Sequence, residues 1–175
     1  SPYLRALLLL LIMLFNLNVF AQSTKKILVF SKTAGFYHTS IPVGKAAIQQ
    51  LGATHHFEVD TTSDAGYFTR EKLRPYAAVV FLNTTGDVLN NEQQLAFQQF
   101  IQDGNGFAGI HAATDTEYDW PWYGNLVGAY FGAHPHQQDA VLHVNNRNTI
   151  ATSHLPEVWK RKDEWYNFKW FTKEK

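Results

Sequence analysis

Short apolar runs bounded by polar loops alternate along this chain with stretches whose apolar residues recur at helical spacing. Ile27-Leu28-Val29-Phe30 is too short for a helix and rich in strand formers, which predicts a strand over Lys26 to Ser31. A polar loop from Lys32 to Thr39 leads to Ser40-Ile41-Pro42, where a capping hydroxyl and an early proline predict a helix ending near Leu51-Gly52. Weak alternation over His56 to Val59 predicts a second strand, and Thr69 is placed to cap a short helix reaching Tyr76. Ala77-Ala78-Val79-Val80-Phe81-Leu82 is apolar throughout, the pattern of a central parallel strand covered on both faces. Asn90 or Asn91 is expected to cap a helix carrying Leu95, Phe97, Phe100 and Ile101 at helical spacing, with Gly104 at its end. Phe107 to His111 predicts another strand, Tyr123 to Phe131 a helix and Ala140 to Val144 a strand, while Trp159 to Trp170 fits neither period.

Strand and helix in alternation predict an α/β domain with a doubly wound parallel sheet. Ligands of such sheets bind beyond the carboxyl ends of the strands, so the loops after Phe30, Leu82 and His111 are expected to converge on one rim. There is no internal repeat, low-complexity tract or interdomain linker.

The first residues stand apart from this pattern. Ala6 to Phe20 is apolar except for Asn16 and Asn18, follows Arg5, and closes on Val19-Phe20-Ala21, a site that suits a signal peptidase. Residues 1–21 are therefore expected to be a signal peptide and residues 22–175 the domain, secreted or periplasmic. The block is too short and too polar for a stable membrane span, which takes about 20 apolar residues. Ser1 in place of Met, and an end at Lys173-Glu174-Lys175 straight after an aromatic run, lead to the expectation that both ends are truncated and the domain is incomplete at its C-terminus.

Of 15 basic and 15 acidic residues, loss of residues 1–21 removes one Arg and no acid, so 14 face 15 and the net charge is about −1. Such neutrality offers no basic patch for nucleic acid or an anionic membrane and favours small or neutral partners. A content of 45% hydrophobic and 15% aromatic residues excludes general disorder. The chain has no cysteine, which removes disulfides, iron–sulfur clusters, thiolate zinc sites and thiol nucleophiles together.

Gly104-Asn105-Gly106-Phe107-Ala108-Gly109 spaces its glycines like a dinucleotide fingerprint, but it ends a helix and enters a strand, the reverse of the required order. Gly109-Ile110-His111-Ala112-Ala113 surrounds a reactive residue with small ones, as a sharp strand-to-helix elbow needs. An imidazole at that position suits proton transfer or metal ligation rather than acyl chemistry. His38 lies in the first rim loop, and the topology carries it towards His111. His134-Pro135-His136 aims two imidazoles at one centre if extended and is otherwise a loop; His55 and His56 sit away from the rim. Asp115, Glu117 and Asp163-Glu164 offer carboxylates for acid–base work, sugar hydroxyls or a metal. Trp120, Trp122 and Tyr123, with Trp165 and Tyr166, form two aromatic clusters that suit either core packing or stacking on a sugar face. Asn83-Thr84-Thr85 is a glycosylation sequon.

Taken together, ILVFSKTAGFYHTSI from Ile27 to Ile41, AVVFLNTTGDVL from Ala78 to Leu89, GFAGIHAATDTEYDWPWYGNLVGAY from Gly106 to Tyr130, His134-Pro135 and DEWYNF from Asp163 to Phe168 resemble the ThuA-like, or trehalose-utilisation, domain family. The resemblance spans most of the chain after Ala21. It implies a flavodoxin-like three-layer fold akin to the class I glutamine amidotransferases and a role in carbohydrate utilisation, with His38, His111, His134 and Glu164 at matching motif positions. The amidotransferase elbow carries a cysteine and this one does not, so glutaminase activity is not implied.

The leading expectation is a domain that processes a small carbohydrate, a disaccharide or oxidised sugar. His111 would be the acid–base group or ligand, with Glu164 or Asp115 as its carboxylate partner, and His38, Trp120, Trp122, Tyr123 and Tyr166 would hold the substrate. A divalent metal held among His38, His111 and His134 is an open alternative for the chemistry. The competing classes are a noncatalytic carbohydrate-binding module and a structural remnant.

Overall fold

The computed structural model describes residues 24–171, so the expected signal peptide, residues 1–21, lies outside the described residues. Strands β1 (Lys26–Phe30), β2 (Glu58–Thr62), β3 (Ala78–Leu82) and β4 (Gly106–Ile110) form one parallel sheet in the order β2-β1-β3-β4. Their apolar runs are continuous because both faces are covered. Leu28, Phe30, Val79 and Phe81 pack with Phe68, Leu73, Phe97 and Phe100 on one side, and Val29, Val80 and Leu82 with Ile48 and Val59 on the other. Helix α1 (Ile41–His55) covers the second face; α2 (Arg70–Leu73) and α3 (Asn91–Gln102) cover the first. The result is the expected three-layer, flavodoxin-like arrangement. The chain steps one way from β1 to β2 and the other way to β3 and β4, so the reversal falls between β1 and β3, where such folds open a crevice.

Local chemistry sets the boundaries. Asn90 caps α3 in a full capping box, its side chain accepting from the Gln93 amide at 3.0 Å while the Gln93 side chain accepts from the Asn90 amide at 2.9 Å. Gly104 follows at φ 93°, past the helix end. Leu95 departs from the expected buried stripe and is exposed, since it stands two residues before Phe97 and so nearly opposite it on the helix. Ser40 precedes α1 without capping it, because its hydroxyl is taken by the Asn83 side chain. The helix runs past Leu51-Gly52 to His55 and ends at His56, φ 59°, which displaces β2 to Glu58.

The region after β4 differs most from expectation. Helix α4 (Pro121–Val127) stops at Gly128, φ 91°, and Ala129–Ala133 is not helix but strand β5. The strand expected near Ala140 exists as β6 (Gln138–His143), yet it pairs antiparallel with β7 (Val158–Asp163) instead of joining the parallel sheet. Strand β8 (Asn167–Phe171) pairs antiparallel with β5. The unassigned stretch from Trp159 to Trp170 is therefore mostly two strands, with Glu164-Trp165-Tyr166 between them. Among the described residues no helix is long and apolar enough to cross a membrane.

One buried carboxylate ties the layers at the rim. Glu117, 1% exposed, accepts from the amides of Val88 and Leu89 at 2.8 Å each and from the Gln94 side chain at 2.6 Å. Burial pushes this carboxyl above the ordinary carboxylate range despite those donors. Because the folded value is raised, the favourable contribution is complete below the ordinary carboxylate pKa and is lost as pH rises through the folded value. Glu117→Gln keeps an oxygen for the two amides and has no charge to bury, so its thermal midpoint should gain on the parent as pH goes from about 4 to about 7. Glu117→Ala strands two buried N–H groups and should cost roughly 2–5 kcal/mol. Parallel pH profiles for the parent and the Gln variant would contradict this assignment.

Candidate functional site

The rim loops are stitched together before any functional side chain is placed. Bridges join Thr33 to Thr85 and Gly86 to Thr116, so the loops after β1, β3 and β4 continue the parallel pairing beyond the sheet. The Ala34 amide donates to the Thr85 carbonyl at 2.7 Å and the Gly86 amide to the Asp115 carbonyl at 2.8 Å. A buried hydroxyl pair, Thr84 with Thr116 at 2.9 Å, locks two of these loops.

Two strands leave the sheet through left-handed residues, Asn83 after β3 and His111 after β4, each at φ 52°. This conformation is costly for most L-residues, and Asn and His are among those that accept it most readily. The elbow at His111 needs the small residues that surround it. A Cβ on Gly109 would meet that of Ala113 at 3.0 Å, and Ala112 and Ala113 are buried. Tyr123, fully buried, fixes the turn from below by donating its hydroxyl to the Ala113 carbonyl at 2.7 Å.

His38 reaches the same rim from the loop after β1. Its ring meets that of His111 edge-on, with centroids 4.8 Å apart, and Phe36 packs on its other side at 4.9 Å. Glu164, between β7 and β8, places Oε2 3.3 Å from His111 Nε2 and Oε1 3.5 Å from His134 Nδ1. The Tyr166 hydroxyl lies 3.0 Å from His111 Nε2, and its ring stacks between those of His111 and His134, with centroids at 4.6 and 5.8 Å. Donor atoms of His38, His111 and Glu164 all fall within 4.8 Å of one another. His38, His111 and Glu164 border a cleft of about 610 Å³ shared with Ser40, Asn83, Gln137 and the Arg161–Asp163 ion pair, and His134 and Tyr166 contact its wall through Glu164 and His111.

Burial, and then the neighbouring His111, hold the His38 imidazole below its ordinary pKa, so it is neutral near pH 7 with a free lone pair. Burial and the Glu164 charge raise the Tyr166 phenol, which keeps its proton and remains a donor. Buried in the cleft wall, His38 Nδ1 and Asn83 Oδ1 have no hydrogen-bond partner among the described residues.

The structure thus brings together His111, Glu164, His38, His134 and Tyr166. Asp115 stands one step back: it accepts from the Tyr118 hydroxyl, and its charge still reaches His38 and Tyr166. Trp120, Trp122 and Tyr123 are elsewhere. The two indoles stack at 5.0 Å and pack edge-on against Phe97, at 6.4 and 6.1 Å, and Tyr123 stacks on Phe81 at 5.6 Å. All three join the core and do not line the cleft. Asn83 was not among the expected site residues; its signal was an asparagine ending the central apolar run, where only a left-handed turn lets the chain leave. At 4% exposure, with Nδ2 donating to Ser40 Oγ at 2.9 Å, its amide is closed to glycosylation in the folded chain.

Comparison with known proteins agrees with the fold. A ThuA-like protein from Bacteroides uniformis is 24% identical over 85% of this chain and 63% of its own, with a TM-score of 0.71. A ThuA-like protein from Parabacteroides merdae is 22% identical over 82% of this chain and 63% of its own, with a TM-score of 0.66. At such identities the likeness establishes the fold, and the chain spans under two thirds of either structure. No curated protein matches it. The family described as ThuA, trehalose utilisation, matches residues 26–175, and the chain belongs to that family.

Proposed function

We propose that this is an exported domain, released by cleavage after Ala21, that processes a small carbohydrate of the disaccharide or oxidised-sugar class at the cleft around His111. The observation that carries this reading is the convergence of His38, His111, His134, Glu164 and Tyr166 from separate segments onto one rim. Membership of a trehalose-utilisation family supports the sugar. His111 Nε2, between a carboxylate and a phenol, serves as the acid–base group of a metal-free site or as a ligand where a metal is bound, with Glu164 as its carboxylate partner in either case. The Tyr166 phenol beside His111 supplies a donor for hydroxyls, and Arg161 and Asp163 line the cleft. The binding-module alternative draws less support, since it relied on an aromatic platform and the tryptophans it would use pack into the core.

His111→Asn is the informative variant, because asparagine tolerates φ 52° whereas alanine adds strain of about 1–2 kcal/mol. With trehalose and its oxidised derivatives as substrates, it should lower turnover by about 10²–10⁴ with little change in thermal midpoint. Unchanged turnover would refute the catalytic role. For export, sequencing the amino terminus of extracytoplasmic material should find Gln22 first; intact residues 1–21 on a membrane-bound product would sink that part of the reading.

A further inference from the structure

We propose that His38, His111 and Glu164 form a binding site for one divalent transition-metal ion of the zinc class, open on the side that faces the cleft. This deepens the reading of the cleft as a sugar-processing site and rests on it only for the metal's use, not for its binding.

The argument begins with spacing. Bonds of about 2.0–2.2 Å from zinc to imidazole nitrogen and carboxylate oxygen put neighbouring ligand atoms about 3.4 Å apart in a tetrahedron. His111 Nε2 and Glu164 Oε2 are already 3.3 Å apart, and a His38 nitrogen completes a triangle with no side above 4.8 Å. Closing it takes a rotation of the partly exposed Glu164 or of the imidazoles, without moving the sheet. Two imidazoles and one carboxylate are a donor set that zinc uses in catalytic sites, with the fourth position left to water or substrate; nitrogen donors disfavour magnesium and calcium.

Each ligand is also held as a ligand needs to be. His111 is fixed by its left-handed backbone between buried alanines. His38 is wedged between Phe36 and the His111 ring, with Nδ1 buried and unpartnered among the described residues. The second oxygen of Glu164 faces His134 Nδ1 at 3.5 Å, the outer partner that orients a ligating carboxylate. This assigns His134 to support rather than to the metal. A metal on His111 Nε2 takes that nitrogen from the Tyr166 hydroxyl, which becomes a donor to whatever occupies the open position.

The test uses untagged full-length protein stripped with a chelator and titrated with Co²⁺, followed by visible absorption, and with Zn²⁺ and Mg²⁺ by calorimetry. One Co²⁺ or Zn²⁺ per chain is expected, with cobalt bands of a low-coordinate site and no competition from Mg²⁺. His38→Ala and Glu164→Gln should weaken binding by more than about 100-fold and His134→Ala by about 10–100-fold, whereas His55→Ala with His56→Ala should leave it unchanged. Failure of one-to-one binding at micromolar metal, or equal affinity in the His38 and Glu164 variants, overturns the site. Sugar binding by metal-free protein, measured in parallel, separates the two readings. Sugar bound without any metal site defeats this inference alone, and a metal site in a protein indifferent to every sugar defeats the proposed function alone.

Discussion

A strand covered on both faces has no room for a polar side chain, and that constraint organises this molecule. Leu28 to Phe30 and Val79 to Phe81 are apolar because helices lie above and below them, so chemistry is confined to the points where the chain leaves the sheet. All four strands run the same way, which gathers their carboxyl ends on one rim. At β3 and β4 the exit is abrupt enough to need a left-handed residue, and the residues that tolerate it, Asn83 and His111, also carry functional polar groups. Turn geometry and site chemistry are the same choice at these two positions.

Two glutamates near the rim show how environment divides labour between identical side chains. Glu117 is sealed in, surrounded by three donors, and works as a fastener between the loop after β3 and the turn after β4. Glu164 is partly open, contacts the His111 and His134 imidazoles and the Tyr166 phenol, and faces the cleft. The first is paired with groups that do not move; the second with groups that exchange protons or bind ions.

Much of this was legible in the sequence, and the reasons differ between parts. Continuous apolar runs reported β1 and β3, and an asparagine cap, helical spacing and Gly104 reported α3, because those signals are local. The elbow at His111 could be read from its small neighbours, and the topology alone implied that His38 would meet it. Strand β5 was missed because its aromatic residues follow α4 at nearly helical spacing and only Gly128 marks the break. The partner of β5 lies some forty residues downstream, beyond any local signal. Trp120 and Trp122 looked alike as core or sugar platform, since composition does not reveal which side of a helix entrance a ring falls on; Phe97 decided it. Glu164 and Tyr166 stood out as a carboxylate beside an aromatic pair and again within the family motif, not through periodicity.

Where Glu164 and Tyr166 sit has a consequence for time as well as space. His38 and His111 stand on loops of the parallel core, but Glu164 and Tyr166 ride on the short segment between two two-stranded ribbons, whose strands are largely exposed apart from Ala129 and Tyr130 at the start of β5. Ribbons of this kind open at a small fraction of the free energy that unfolds a core. The cleft is therefore expected to combine parts of different stability, the imidazoles on the sheet's rim and the carboxylate and phenol on a lighter element. Amide exchange in β7 and β8 should run orders of magnitude ahead of exchange in β1 and β3, and each such excursion takes the carboxylate and the phenol away from the imidazoles and brings them back without disturbing the core.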